Sequence, residues 1–241
     1  MTCRKGSLTF LSQLFIFFLL LLPHAQSISF NFTSFQQNMN DAITFQGDAF
    51  TSQGVLELTK NQLVGSISYS VGRASYAEPV RLWDASTGRL TDFTTHFSFI
   101  TKAVNISWHG DGLSFFIAPF ESNIPNNSSG GYHALFSAES ANKTSQNQIV
   151  AVEFDSFKND WDPSDDHVGI NVNSIVSATN VSWNSNIRDG SQANAWISYN
   201  STIKNLSVFL TYANNPVFGG NSSLSYTTYN TIMVILFKLG D

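Results

Sequence analysis

Beyond position 3 this chain of 241 residues contains no cysteine. Disulfides are thereby excluded, and the fold must be held by its core and by any metal it binds. Charge is also scarce, at 12% of residues, with no basic run anywhere. Nucleic acid and anionic membrane surfaces are therefore poor partners. No apolar stretch is long enough to cross a bilayer, which takes about 20 residues. Helical periodicity is missing as well: no amphipathic stretch extends beyond a couple of turns, and there is neither an internal repeat nor a low-complexity linker.

What the N-terminus does contain is a short apolar run, LFIFFLLLL from Leu14 to Leu22, preceded by Arg4 and Lys5 and ended by Pro23. Ala25-Gln26-Ser27 supplies the small residues of a signal-peptidase site. Residues 1–27 are expected to be a signal peptide, with a secreted chain starting at Ile28. A membrane anchor, the alternative, needs a longer run. Removal of the leader takes the net charge from -5 to -7, with 10 basic residues against 17 acidic ones. Asn-x-Ser/Thr sequons begin at Asn31, Asn105, Asn126, Asn127, Asn142, Asn180, Asn200, Asn205 and Asn221, a density that fits a glycoprotein of the secretory pathway.

The apolar pattern has period two. FNFTSF (30–35), GVLELT (54–59), FTTHFSFIT (93–101), LSFFIAPF (113–120), IVAVEFDSF (149–157), VGINVNS (168–174), ANAWISYN (193–200) and LSVFLTY (206–212) are β-branched and aromatic runs parted by Gly, Asn, Ser and Pro. They predict one all-β domain of antiparallel sheets packed as a sandwich or jelly roll.

The densest charge lies in AVEFDSFKNDWDPSDDH, residues 151–167. On a strand through Ala151–Phe157, Val152, Phe154 and Ser156 share one face while Glu153 and Asp155 share the other, about 6 to 7 Å apart. Like charges this close repel unless a cation or a shared proton intervenes. One reading is a solvated acidic loop, which explains neither the pairing on a strand face nor His167. A second is a glycosidase pair, needing carboxyl groups about 5 to 5.5 Å apart. Sandwich glycosidases typically carry another glutamate two or three positions after the aspartate, where this chain has Phe157 and Lys158. A third is a metal site: Glu153, Asp155, Asp162 and His167 suit a transition ion such as Mn²⁺, and Asp155, the Phe157 carbonyl, Asn159 and Asp162 suit Ca²⁺.

The run V-A-V-E-F-D-x-F-x-N-x-W-D-P…H-V-G-I-x-V-N-S resembles the metal-binding segment of legume-type (L-type) lectins. FNFTSF, THFSFIT, HGDGLSFFIAP, GGYHALF and LSVFLTY resemble segments of that family in the same order. The resemblance implies a concanavalin-like jelly-roll β-sandwich over residues 28–230, with Mn²⁺ and Ca²⁺ side by side and no catalytic activity. It further implies a sugar site above the calcium. There Asp111 accepts from two sugar hydroxyls, the Gly131 N–H donates, Asn159 binds calcium and sugar at once, and Phe157 stacks on the sugar's apolar face. A cis peptide at Gly110-Asp111 is implied too. His109 and His133 adjoin these loops as further candidates for ligand contact, whereas Trp161 and Trp183 read as core or loop anchors.

Members of the family normally continue past a strand like SLSYTTY (223–229) into a Trp-Val-x-Val-Gly-Phe-Ser-Ala strand. Here residues 231–241 form an atypical apolar tail, NTIMVILFKLGD from Asn230 onward. The expected function is a secreted, calcium- and manganese-dependent lectin for a carbohydrate or glycoprotein glycan, in keeping with plant defence, storage or recognition at the cell surface. Ectodomains of lectin receptor kinases share the resemblance. The alternative is a truncated lectin-like fragment without sugar binding. Members of the family often pair through their sheets, so the resemblance leaves a homodimer open without fixing the oligomeric state.

Overall fold

The structure is a computed structural model describing residues 12–15, 27–61, 66–84, 86–103, 109–184, 190–213 and 224–227. The chain divides into two units, Met1–Thr33 and Ser34–Asp241. The expected leader lies outside the described residues except for a helical turn at 12–15 and Ser27, and the tail at 231–241 lies wholly outside them.

Among the described residues of the second unit there are twelve strands: β1 (Ile43–Gly47), β2 (Phe50–Ser52), β3 (Val55–Glu57), β4 (Gly72–Tyr76), β5 (Phe93–Phe99), β6 (Gly112–Ile117), β7 (Val150–Asp155), β8 (His167–Val172), β9 (Thr179–Ser182), β10 (Ala193–Asn200), β11 (Asn205–Thr211) and β12 (Leu224–Thr227). Two four-stranded sheets, ordered β12-β11-β10-β5 and β6-β7-β8-β9, carry the core, and β1-β4 and β2-β3 form two-stranded ribbons. Every described strand pairing is antiparallel. That is the geometry expected of alternating runs joined by short polar turns.

The alternation decides which side chains meet between the sheets. Ala195, Ile197 and Tyr199 of β10 and Leu206 and Val208 of β11 point inward, against Val150, Val152 and Phe154 of β7 and Val168 and Ile170 of β8. Phe154 is the aromatic hub, its ring 5.1 Å from Phe99, 6.0 Å from Phe97 and 6.2 Å from Trp183. β7 is buried along its whole length because a second apolar layer of Leu135, Phe136, Ala141, Ile149 and Ile175 covers its other face around Ala151. Glu153 and Asp155 share that second face, so the carboxylates are sealed between the sheet and a layer of loops.

Several elements depart from the sequence reading. FNFTSF forms no strand; Phe35 makes only an isolated bridge to Gly54. ITFQG, GRASY and TNVS form β1, β4 and β9 although their apolar content is too low to single them out, because partner strands complete their hydrogen bonding. Asn31, Asn126, Asn127, Asn142, Asn180 and Asn200 are exposed and Asn205 is half-buried, while Asn105 and Asn221 lie outside the described residues.

The hub sets a stability expectation. Phe154→Ala should destabilise the chain by about 3–5 kcal/mol in denaturant titration, through lost burial plus an unfilled cavity. Ile203→Ala, at a side chain 59% exposed, should change stability by less than about 0.5 kcal/mol. Equal losses at the two positions would contradict this assignment of the core.

Candidate functional site

Pairing register brings the acidic residues of β7 opposite particular residues of β8: Glu153 faces Gly169 and Asp155 faces His167. Gly169 is required by close approach, since a Cβ there would fall on the Glu153 carboxylate and the Ser177 hydroxyl. Glu153 is enclosed: His167 Nε2 lies 3.1 Å away, Asn171 Nδ2 donates to it at 3.0 Å, and the Ser177 hydroxyl donates through a short bond. Asp155 Oδ1 accepts from the Phe157 N–H at 2.7 Å, and Asp162 Oδ2 accepts from the Asn159 N–H at 2.7 Å. Donor atoms of Asp155, Asp162 and His167, all buried, lie within 4.8 Å of one another.

This charge density has an electrostatic cost. Burial, with further repulsion from Asp155 and Glu153, pushes the Asp162 carboxyl up to about 6 despite the Asn159 N–H. Burial opposes ionisation of Glu153, yet the hydrogen bond from His167 and the nearby imidazoles hold its carboxyl below the ordinary value. Burial likewise works against charge on His167, and its bond to Glu153 outweighs that and raises it. A divalent cation would offset the repulsion that protons and imidazoles only partly relieve. Asn159 Oδ1 and His167 Nδ1 are buried with no hydrogen-bond partner. An orphaned acceptor of this kind costs about 1–3 kcal/mol unless something fills its lone pairs. The mixture of carboxylate, amide oxygen and imidazole therefore fits a metal pair.

The four residues expected to face a sugar come together on the loops above this cluster. Asp111 ends the loop before β6, and its backbone carbonyl accepts from the Ser156 N–H at 2.9 Å and the Ser156 hydroxyl at 2.8 Å. The peptide bond before it, Gly110-Asp111, is cis. Gly131 lies in a 3₁₀ turn, Gly130–Tyr132, where an added Cβ would fall on Asn159 Oδ1 and 2.9 Å from its Nδ2. Only a glycine lets that amide lie so close. Burial pushes the Asp111 carboxyl up, and the nearby His133 and Asn159 side chains offset this only in part. Phe157 packs beneath Gly110 and remains 44% exposed.

Of the further candidates, His133 lies against Asp155, Trp161 packs on Tyr132 at 5.1 Å, and Trp183 is buried among the core aromatics. Gly169, Asn171 and Ser177 were not legible as site residues. Gly169 and Asn171 alternate along β8 toward Glu153, which would have exposed them once the register was known. Ser177 sits in a loop and has no sequence signal. The glycosidase reading fails on access: Glu153 and Asp155 are 2% and 1% exposed.

Two outcomes follow. In the metal-free folded chain Asp162 keeps its proton to about pH 6, against 3.8 ordinarily. The folded state then binds more protons than the unfolded one between about pH 4 and 6, so this group makes the chain less stable as pH rises through that window. Asp162→Asn should raise the melting temperature of chelated protein at pH 7 and flatten its decline from pH 4 to 6 in calorimetry; an unchanged slope would refute the repulsion. Gly131→Ala should leave the backbone amide spectrum largely intact but displace the Asn159 side-chain amide resonances, which heteronuclear NMR reads directly.

The sequence matches the family model described as Legume lectin domain over residues 27–235. Lectin 7 of Medicago truncatula is 46% identical over 218 residues, covering 88% of this chain and 80% of that protein. Among solved structures, the metal-free form of lectin I-B4 from Griffonia simplicifolia superposes with a TM-score of 0.74 at 41% identity, covering 84% of each chain. Lectin UEA-II complexed with galactose superposes with a TM-score of 0.71 at 41% identity, covering 85% of this chain and 84% of that one. The sandwich of antiparallel sheets described above is the jelly roll of these lectins, which bind carbohydrate and are not enzymes. The chain belongs to the legume lectin domain family and is a carbohydrate-binding lectin.

Proposed function

We propose that this lectin binds sugar through Asp111, Gly131, Phe157 and Asn159, and that Ca²⁺ and Mn²⁺ hold those residues in place. One observation carries the reading: Asn159 donates its N–H to Asp162 of the acidic cluster and holds a buried, unpartnered amide oxygen, while its side chain lies against Gly131. A single residue thereby couples a cation site to a sugar site. Glu153, Asp155, Asp162 and His167 would hold Mn²⁺; Asp155, Asp162, Asn159 and the Phe157 carbonyl would hold Ca²⁺. Bound ions neutralise the carboxylates and fix the loops. The protein's own groups then recognise the sugar: the Asp111 carboxylate accepts from vicinal hydroxyls, the Gly131 N–H and the Asn159 NH₂ donate, and the Phe157 ring covers the C–H face.

The leader and the sequons support secretion as a glycoprotein starting near Ile28. Among the described residues no helix is long and apolar enough to cross a membrane. A second copy would dock on the outer face of β5-β10-β11, where His96 and Trp196 stack at 4.2 Å and Phe209 lies 5.6 Å from Trp196.

Calorimetric titration with galactose, N-acetylgalactosamine, mannose and N-acetylglucosamine tests the reading. Saturable binding of at least one sugar is expected, lost on chelation and restored by Ca²⁺ with Mn²⁺; affinity unchanged after complete demetallation would sink it. Asp111→Asn should weaken binding by roughly 10- to 100-fold, the size of a lost charge-assisted hydrogen bond, with the melting temperature of the metal-loaded protein unmoved.

A further inference from the structure

His133 is the buried group that the proposed sites leave unused. It follows the 3₁₀ turn in a left-handed conformation, φ 55°, with its N–H bonded to the Gly130 carbonyl at 2.9 Å. That turn sends the imidazole inward: the side chain is 3% exposed and its Nε2 stands 3.3 Å from Asp155 Oδ2. The ring also packs beside Gly112, where an added Cβ would come within 3.2 Å of His133 Cε1.

The surroundings are those of a metal donor rather than of a core residue. Donor atoms of His133, Glu153 and Asp155 all lie within 4.8 Å of one another, a second cluster joined through Asp155 to the one made by Asp155, Asp162 and His167. Two donors on one transition ion are at most about 4 to 5 Å apart, twice a bond of about 2.0–2.3 Å. The spacing therefore allows one ion to touch all three groups. Asn159 Oδ1, on the loop that follows Asp155, is buried with no hydrogen-bond partner. Imidazole nitrogen adds little to Ca²⁺, which takes oxygen, and much to Zn²⁺ or Mn²⁺.

We propose that His133 is a further protein ligand of the metal pair, giving the position held by Glu153 and Asp155 a second imidazole beside His167 and strengthening its preference for Zn²⁺ or Mn²⁺ over Ca²⁺. The inference rests on the metal-dependent reading above and extends it to the identity of the ions.

The test uses the full chain stripped of metal and titrated with Zn²⁺, Mn²⁺ and Ca²⁺ one at a time, in wild type, His133→Leu and His133→Gln. Zinc affinity at one site is expected to fall at least about tenfold in both variants, with calcium affinity equal or higher. Pulsed EPR on the manganese-loaded wild type, which depends on no variant folding, should count two coordinated imidazoles. One imidazole, or zinc and calcium affinities unchanged in both variants, overturns the role of His133 and leaves the metal-dependent reading standing. A wild type that takes up none of the three ions overturns both.

Discussion

The burial of Glu153 and Asp155 on the covered face of β7 is the constraint on which the rest of the site depends. Two carboxylates removed from water on a central strand would repel each other and their surroundings. The neighbourhood is built around that liability. Gly169 clears space, Asn171 and Ser177 donate to Glu153, His167 faces it, and Asp162 arrives from the following loop. Even so, Asp162 is pushed up to about 6 and the Asn159 oxygen finds no donor. The protein alone does not satisfy this cluster, and cations are the natural completion.

The second apolar layer makes such burial possible. On β5 one face meets the core and the other meets solvent, which gives that strand its alternating pattern. β7 has no solvent face, because Leu135, Phe136, Ala141, Ile149 and Ile175 lie across it. The same loop layer carries Gly131 and His133, so the segment that seals the acids also presents a backbone N–H above them and an imidazole beside them.

Much of this was legible in the sequence, and for a physical reason. Strands β5, β7, β10 and β11 announce themselves because alternation records which side of a sheet meets the core. The acidic cluster announces itself because carboxylates are rare in such a chain, and Glu153, Asp155, Asp162 and His167 fall within a single strand–loop–strand segment. β1, β4 and β9 were hidden because ribbons and edges need hydrogen-bond partners more than apolar side chains. FNFTSF misled for the opposite reason, its alternation being that of a strand without a ladder. The role of Ser177 and the burial of His133 depend on how loops return to the sheet, which no local pattern encodes.

One consequence follows from where the donors sit along the chain. The carboxylates, the amide and His167 come from a stretch folding as one hairpin, β7 to β8, whereas Asp111 and Gly131 are delivered by two separate upstream loops. In the proposed site the cation donors are thus a local structure, whereas the sugar contacts join Phe157 and Asn159 of that hairpin to two residues from elsewhere in the chain. Sequence drift in the upstream loops can retune recognition without disturbing the hairpin, and damage to the hairpin silences every recognition loop at once. A lineage of such proteins can diversify what it recognises while inheriting unchanged the means of holding the recognition loops still.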